Sequence, residues 1–270
     1  MTDPPATEVN YASYLALDRL LQLQRPLTPA AEVEEEHDEL LFIIVHQASE
    51  LWMKQLLHEL DKVKRDFSAN HLFRVISTFR RCCTIVQVLI DQLQILETMT
   101  PLSFNQFRDR LQTSSGFQSM QFRELEFVLG YKRAGILDHY PAGLTGRAAA
   151  ERRLRERSIP DHFYDFLAQR GVTIPEAVLA RPVEAPHVAD ETVQDAVFDL
   201  YRRGGEYRIL FELMTDFDEK LQEWRYHHVK IVERSIGNKA GTGGSLGVEF
   251  LKRTLFHQVF PDLWAVRHRF

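Results

Sequence analysis

The chain has 270 residues, 44% of them hydrophobic and 26% charged, a balance that suits a folded globular protein and excludes a disordered or collagen-like one. Its 33 basic and 38 acidic residues leave a formal net charge of −5 with no basic footprint for nucleic acid. Cys82 and Cys83 adjoin one another and cannot staple distant segments, so a reducing, cytoplasmic compartment is expected.

Residues 1–11 contain prolines and acids without a basic or apolar stretch and do not read as a signal peptide. The longest apolar run, residues 40–45, falls far short of the ~20 residues that a membrane span needs. From Leu41 the apolar residues Val45, Ala48, Trp52, Leu56 and Leu60 recur at three- and four-residue steps, which predicts a helix with these on its inner side. Ile43, Ile44 and Val45 would also suit a buried strand, but the pattern outlasts a strand. Phe42, His46, Ser49 and Met53 share a second face of this helix, turned about 100° from the first.

A second helix is expected over residues 72–97, with Val75, Phe79, Cys82 or Cys83, Val86, Leu89, Leu93 and Leu96 inward. It should end near Pro101, because the residue before proline avoids the α region. A short helix over 104–111 is broken by Thr113-Ser114-Ser115-Gly116, and Ser115 with Gln118 has capping-box spacing for a helix running to Gly130. Residues 131–186 are richer in Gly, Pro and Arg, and the whole 131–205 segment reads as a peripheral helical insertion. Residues 205–236 form the longest uninterrupted helical pattern, bounded by Gly204-Gly205 and Gly237. A glycine-rich loop over 241–247 and a final helix follow. The expected architecture is an all-α helical bundle forming one domain over residues 1–270.

Most of the eleven histidines have an ordinary place. His37, His58, His71, His139, His162, His187, His257 and His268 sit among polar residues or near helix ends and are expected at the surface. Zincin and paired Cys-x-x-Cys patterns are absent, and Glu34-x-x-His37, inside an acidic run, reads as a solvated face rather than a di-iron repeat. His228 differs. Within about 60° of it on a helical wheel lie Met214, Phe217, Leu221, Trp224, Ile231, Val232 and Ser235, so it points inward, whereas His227 turns toward Lys220, Glu223 and Arg234. Two readings of His228 remain open on this pattern: a core histidine bonded to a backbone carbonyl, or the axial ligand of a haem iron in an apolar pocket. His46 is likewise either a half-buried histidine satisfied by Glu50 or a catalytic group.

Several separated blocks resemble the tryptophan 2,3-dioxygenase family. His37-Asp38-Glu39 with His46-Gln47 and Glu50-Leu51-Trp52 is similar to its first signature. Leu96-Glu97-Thr98-Met99-Thr100-Pro101, Phe107-Arg108-Asp109 and Ser114-Ser115-Gly116-Phe117-Gln118-Ser119 resemble a second. Trp224-Arg225-Tyr226-His227-His228 and Gly241-Thr242-Gly243-Gly244-Ser245 resemble a third, and Tyr11-x-x-Tyr14-Leu15 fits the family's N-terminal segment. Leu246 departs from the family's glycine loop, which usually carries a second serine there, and Phe104 stands at an aromatic position that is sometimes tyrosine.

The resemblance implies an enzyme that converts L-tryptophan and O2 to N-formyl-L-kynurenine, the first step of tryptophan catabolism by the kynurenine route. It implies haem b, one per subunit, ligated through iron by His228, with Ser115 and Gly116 closing over its edge. Phe42, His46 and Phe104 would line the substrate pocket, Arg108 would grip the substrate carboxylate, and Thr242 would contact its ammonium and carboxylate ends. Tyr11, Tyr14 and Leu15 would be lent to a neighbouring subunit of a homotetramer, with residues 1–30 packing there. The haem supplies the oxygen chemistry, so the protein mainly orients the ring and excludes competing reactions. The indole N–H is a very weak acid, which favours a positioning role for His46. A broader indoleamine dioxygenase-like enzyme and a non-catalytic haem or tryptophan sensor are the rival readings. Phosphate binding by the glycine loop fits poorly, since it lacks the Gly-Lys-Ser/Thr ending.

Overall fold

The apolar stripes of the sequence become long helices in the computed structural model, which describes residues 9–32, 36–237, 239 and 247–270. Two short helices, α1 (Tyr11–Leu15) and α2 (Leu17–Leu20), precede α3 (Asp38–Ser68) and α4 (Leu72–Leu96). Then come α5 (Pro101–Arg108), α6 (Met120–Val128), α7 (Arg147–Arg155), α8 (Ile159–Gln169), α9 (Glu176–Leu179) and α10 (Glu191–Arg203). The longest, α11 (Gly205–Ile236), is followed by α12 (Val248–Lys252) and α13 (Pro261–Ala265). No strand occurs among the described residues, so the fold is all-α as expected.

The frame is α4 packed against both α3 and α11. Leu56, Leu60, Val63 and Phe67 of α3 meet Val75, Phe79, Cys82 and Val86 of α4, and Leu210, Met214 and Phe217 of α11 close the other side. Phe79 stands edge-on to Phe217 at 5.7 Å and 6.3 Å from Phe67, a herringbone of rings that suits the aromatic quadrupole. The chain reverses between α3 and α4 through Asn70 at φ 59°, a left-handed position that asparagine tolerates. Thr100 caps α5 by accepting from the Ser103 amide at 3.1 Å, with Pro101 in the first turn where its missing N–H costs nothing. Gly237 at φ 57° ends α11 at the expected place.

Four expectations are corrected. Trp52 is 37% exposed, because the buried side of α3 rotates toward Met53, Leu57 and Glu59 in its middle turns. The cap of α6 is Ser119, which accepts from the Phe122 amide at 3.1 Å; Ser115 instead starts a 3-10 turn over Gly116–Gln118. The 131–205 segment is not uniformly peripheral, since Ile159, Phe163, Phe166 and Leu167 of α8 and Val193 and Val197 of α10 belong to the main core. His187, expected in solvent, has a buried side chain 3.1 Å from the Ser158 hydroxyl and 2.9 Å from the Arg181 guanidinium. Gly130, at φ 90°, makes room for it: a Cβ there would lie 3.1 Å from the imidazole.

The N-terminal segment is tied to its own chain beyond α2. Glu39, buried in the first turn of α3, accepts the amides of Leu27 and Thr28 at 2.8 Å each. No helix among the described residues is long and apolar enough to cross a membrane.

Candidate active site

A cavity of about 260 Å³ lies among α3, α4, α5, α6, α11 and α12. That is near the lower end of the roughly 300–1,000 Å³ usual for a small-molecule pocket. Its apolar wall is the second cluster of the core, in which Val45, Leu93, Leu96, Phe104 and Ile231 pack with Phe42 and Trp224.

The second face of α3 supplies Phe42, His46, Ser49 and Met53, all of which line the cavity. His46 Nδ1 lies 2.7 Å from the Phe42 carbonyl one turn earlier, and a carbonyl only accepts, so Nδ1 carries the proton. In the uncharged ring Nε2 is then left as an acceptor. Burial holds the His46 pKa below its ordinary value, against opposing pulls from the Phe42 bond and Glu50. The residue is exposed and lines the cavity. Phe42 sits against it at 4.1 Å and is itself braced by Phe104 at 5.8 Å and Phe107 at 5.6 Å.

On α11, His228 reaches the same cavity, as do Trp224, Ile231, Val232 and Ser235 of its stripe. Burial lowers the His228 pKa to about 4, with His46 and Arg123 adding to the effect, so its imidazole is neutral near pH 7 and offers a lone pair. His227 points elsewhere. It is half-buried rather than fully outward, with Nδ1 3.5 Å from a Glu97 carboxylate oxygen.

Arg108, in the last turn of α5 beside buried Phe104 and Phe107, lines the cavity with Ser115 and Gly116. The sequence-predicted residues Phe42, His46, Phe104, Arg108, Ser115, Gly116 and His228 are therefore brought together from four separate segments. Tyr11, Tyr14 and Leu15 are not: they stand exposed on α1, away from this cavity. Thr242 lies outside the described residues.

Sequence reasoning missed a charged group on the same cavity, formed by Arg123, Glu126, Arg133 and Arg225. Arg123 Nη1 donates to Glu126 at 2.5 Å, and Arg133 Nη2 donates to both its oxygens at 3.0 and 2.8 Å. The i, i+3 spacing of Arg123 and Glu126 signals an ion pair, but on a helix such pairs usually face water. It also missed Gln121, which clamps α6 to α3 by donating to the Glu50 carbonyl at 2.8 Å and carboxylate at 2.7 Å.

The family model for tryptophan 2,3-dioxygenase matches residues 4–142 and 197–269. The chain belongs to the tryptophan 2,3-dioxygenase family. Among curated members, the tryptophan 2,3-dioxygenase of Herpetosiphon aurantiacus is 48% identical over 259 residues, covering 96% of this chain and 97% of that protein. That of Anaeromyxobacter sp. (strain K) is 45% identical over 269 residues, 99% of each chain. That of Kineococcus radiotolerans is 43% identical, covering 96% of this chain and 91% of the relative. The stretch between the two matched blocks, residues 143–196, contains α7, α8 and α9.

The residues present fit a haem. A neutral imidazole set in an apolar wall suits ferrous or ferric porphyrin iron. The buried Nε atoms of Arg123 and Arg133 have no hydrogen-bond partner among the described residues, which leaves donors for a ligand that carries acceptors.

Proposed function

We propose that this protein inserts both atoms of O2 across the indole C2–C3 bond of L-tryptophan, giving N-formyl-L-kynurenine, with haem b held in the cavity. The observation that carries this reading is the meeting of His228, His46 and Arg108 on one apolar cavity in a chain of this family. His228 would be the iron ligand, its lone pair kept available by burial. When bound, the haem supplies the binding and activation of O2.

The chain's own residues orient and exclude. Nε2 of His46 accepts the indole N–H, since Nδ1 is committed to the Phe42 carbonyl. Phe42 and Phe104 hold the indole ring by aromatic packing, and the apolar wall keeps water from the reacting carbons. Arg108 binds the substrate carboxylate with paired, charge-assisted hydrogen bonds. Ser115 and Gly116 would close over the haem edge, and Thr242, which lies outside the described residues, would contact the ammonium and carboxylate ends of the substrate. Residues 1–270 act as one domain in a cytoplasmic homotetramer, in which the exposed Tyr11, Tyr14 and Leu15 of one subunit complete the site of its neighbour.

The test is anaerobic reduction of the haem-loaded protein followed by L-tryptophan and O2, with N-formyl-L-kynurenine followed by absorbance. Product from L-tryptophan and little from tryptamine, which lacks the carboxylate, is expected. Haem-loaded, reduced protein that forms no product would overturn the proposal.

A further inference from the structure

Beside His228 the cavity carries more buried positive charge than its own acids balance. Arg123, Arg133 and Arg225 all line it, and the one carboxylate among them is Glu126. Arg123 is 4% exposed, Arg225 8% and Glu126 2%. Glu126 is shared by Arg123 and Arg133, while Arg225 donates to the Thr254 carbonyl at 2.7 Å, a dipole and not an anion. The other acid on the cavity, Glu50, is engaged by Gln121. Arg123 and Arg225 are buried and the Arg133 side chain is 25% exposed; over the whole cavity four guanidiniums, Arg108 included, face the two carboxylates of Glu50 and Glu126, an excess of two positive charges. Uncompensated buried charge is strongly destabilising, so such a group is complete only with an anion.

The packing also fixes how that anion would be met. Arg123 lies over the Phe122 ring at 4.8 Å and Arg133 over Tyr131 at 4.4 Å, so aromatic rings cover guanidinium faces and leave the edges for hydrogen bonds. On those edges the Nε atoms of both arginines are buried and have no partner among the described residues. A carboxylate is the planar acceptor that matches a guanidinium edge.

We propose that Arg123, Arg133 and Arg225 form a carboxylate-receiving site, and that the carboxylates are the two propionates of the haem. This rests on the functional reading above and goes beyond the iron ligand: the macrocycle is oriented by its acidic edge as well as by His228. The excess of two charges is what two propionates neutralise. A small-molecule carboxylate is the other source of the same chemistry, and Arg108, on α5, is the residue assigned to that role.

Haem and haem dimethyl ester, whose propionates are esterified, are titrated into the haem-free full-length protein, with Trp fluorescence quenching and the Soret band as readouts. The wild type should bind haem roughly tenfold to a hundredfold more tightly than the ester, the worth of a hydrogen bond to a charged group. Arg123→Met and Arg133→Met should bind the ester as the wild type does and lose most of the preference for the free acid. Arg123→Lys, which keeps the charge, should keep part of it and serves if the methionine variants fold poorly. Equal binding of haem and ester by the wild type overturns the propionate site while leaving the functional reading intact. Variants that keep the haem preference but lose affinity for L-tryptophan also overturn it, in favour of the small carboxylate. A wild type that binds neither porphyrin removes both proposals together.

Discussion

Trp224 stacks on His228 one helical turn away, ring centroids 5.3 Å apart and planes 4° from parallel. The i, i+4 geometry of α11 makes this contact possible, and Phe122 at 5.2 Å from Trp224 wedges the indole from behind. The stack restricts the imidazole to one plane before any ligand arrives. Replacing Trp224 by Leu should leave the fold intact and weaken haem binding by about tenfold, since an aromatic pair is worth about 0.5–1.5 kcal/mol. Trp224→Phe should recover most of that affinity. Haem titration checks this, and an unchanged affinity in Trp224→Leu would show that the stack does not orient the ligand.

Arg108 should set the requirement for an amino-acid carboxylate. A surface ion pair at this position would be worth only about 0–1 kcal/mol, whereas truncating one partner of a buried pair costs on the order of 3–5 kcal/mol. Arg108→Leu should therefore lower kcat/KM for L-tryptophan by roughly a hundredfold or more, at about 1.4 kcal/mol per tenfold step. Haem content should stay near that of the wild type. Steady-state kinetics on L-tryptophan and tryptamine decide the matter: an unchanged preference between them would remove the residue from the substrate site.

The loss of His46 should weaken substrate binding more than it slows chemistry, because its role is to accept a hydrogen bond from a very weak acid. His46→Ala is expected to raise KM by roughly tenfold, one hydrogen bond's worth, while keeping measurable turnover. Single-turnover kinetics separate the two effects. A variant that binds haem, O2 and L-tryptophan fully yet forms no product would restore His46 as an obligatory base.

The long helices were legible because their signals are periodic. Gly204-Gly205 and Gly237 bracket α11 in the sequence as they do in the fold, and the wheel that turned His228 inward placed it on the cavity. The second face of α3, from Phe42 to Met53, was visible as a face, but only the family resemblance made it a pocket wall. Buried charge was not legible. Arg123, Glu126 and Asp218 are ordinary helix residues by pattern, yet Asp218 is fully buried and accepts from the Val259 and Phe260 amides and the Trp264 indole at 2.8, 3.1 and 2.9 Å. Periodicity reports which way a side chain points, and partners from distant segments decide whether a charge can stay there. His187 was misplaced for the same reason, since Ser158 and Asp161 reach it from outside its own stretch of chain, beside nearby Arg181.

That histidine makes stability depend on pH. Burial lowers the His187 pKa from 6.5 to about 4, with Arg181 and Lys132 adding to the effect and Asp161 opposing it. Between those values the unfolded chain binds a proton that the native protein refuses, so stability is lost as pH falls through this window. The slope contributed should be on the order of 1 kcal/mol per pH unit. Thermal melts between pH 7 and about 4.5 should show Tm falling, and His187→Gln, which keeps a hydrogen-bonding amide beside Ser158, should flatten the fall. An identical slope in the variant would rule this histidine out as the cause.

The most direct test of the site as a whole separates two adjacent histidines that face different ways. His227→Ala and His228→Ala are purified with haem supplied during expression, and the Soret band of each is recorded in the ferric and ferrous states. His227→Ala should match the wild type, because His227 sits beside Glu97 and not on the cavity. His228→Ala should lose haem or show a Soret band without histidine ligation, and recover it with added imidazole. The opposite pattern, haem lost from His227→Ala and normally ligated in His228→Ala, would contradict the assignment.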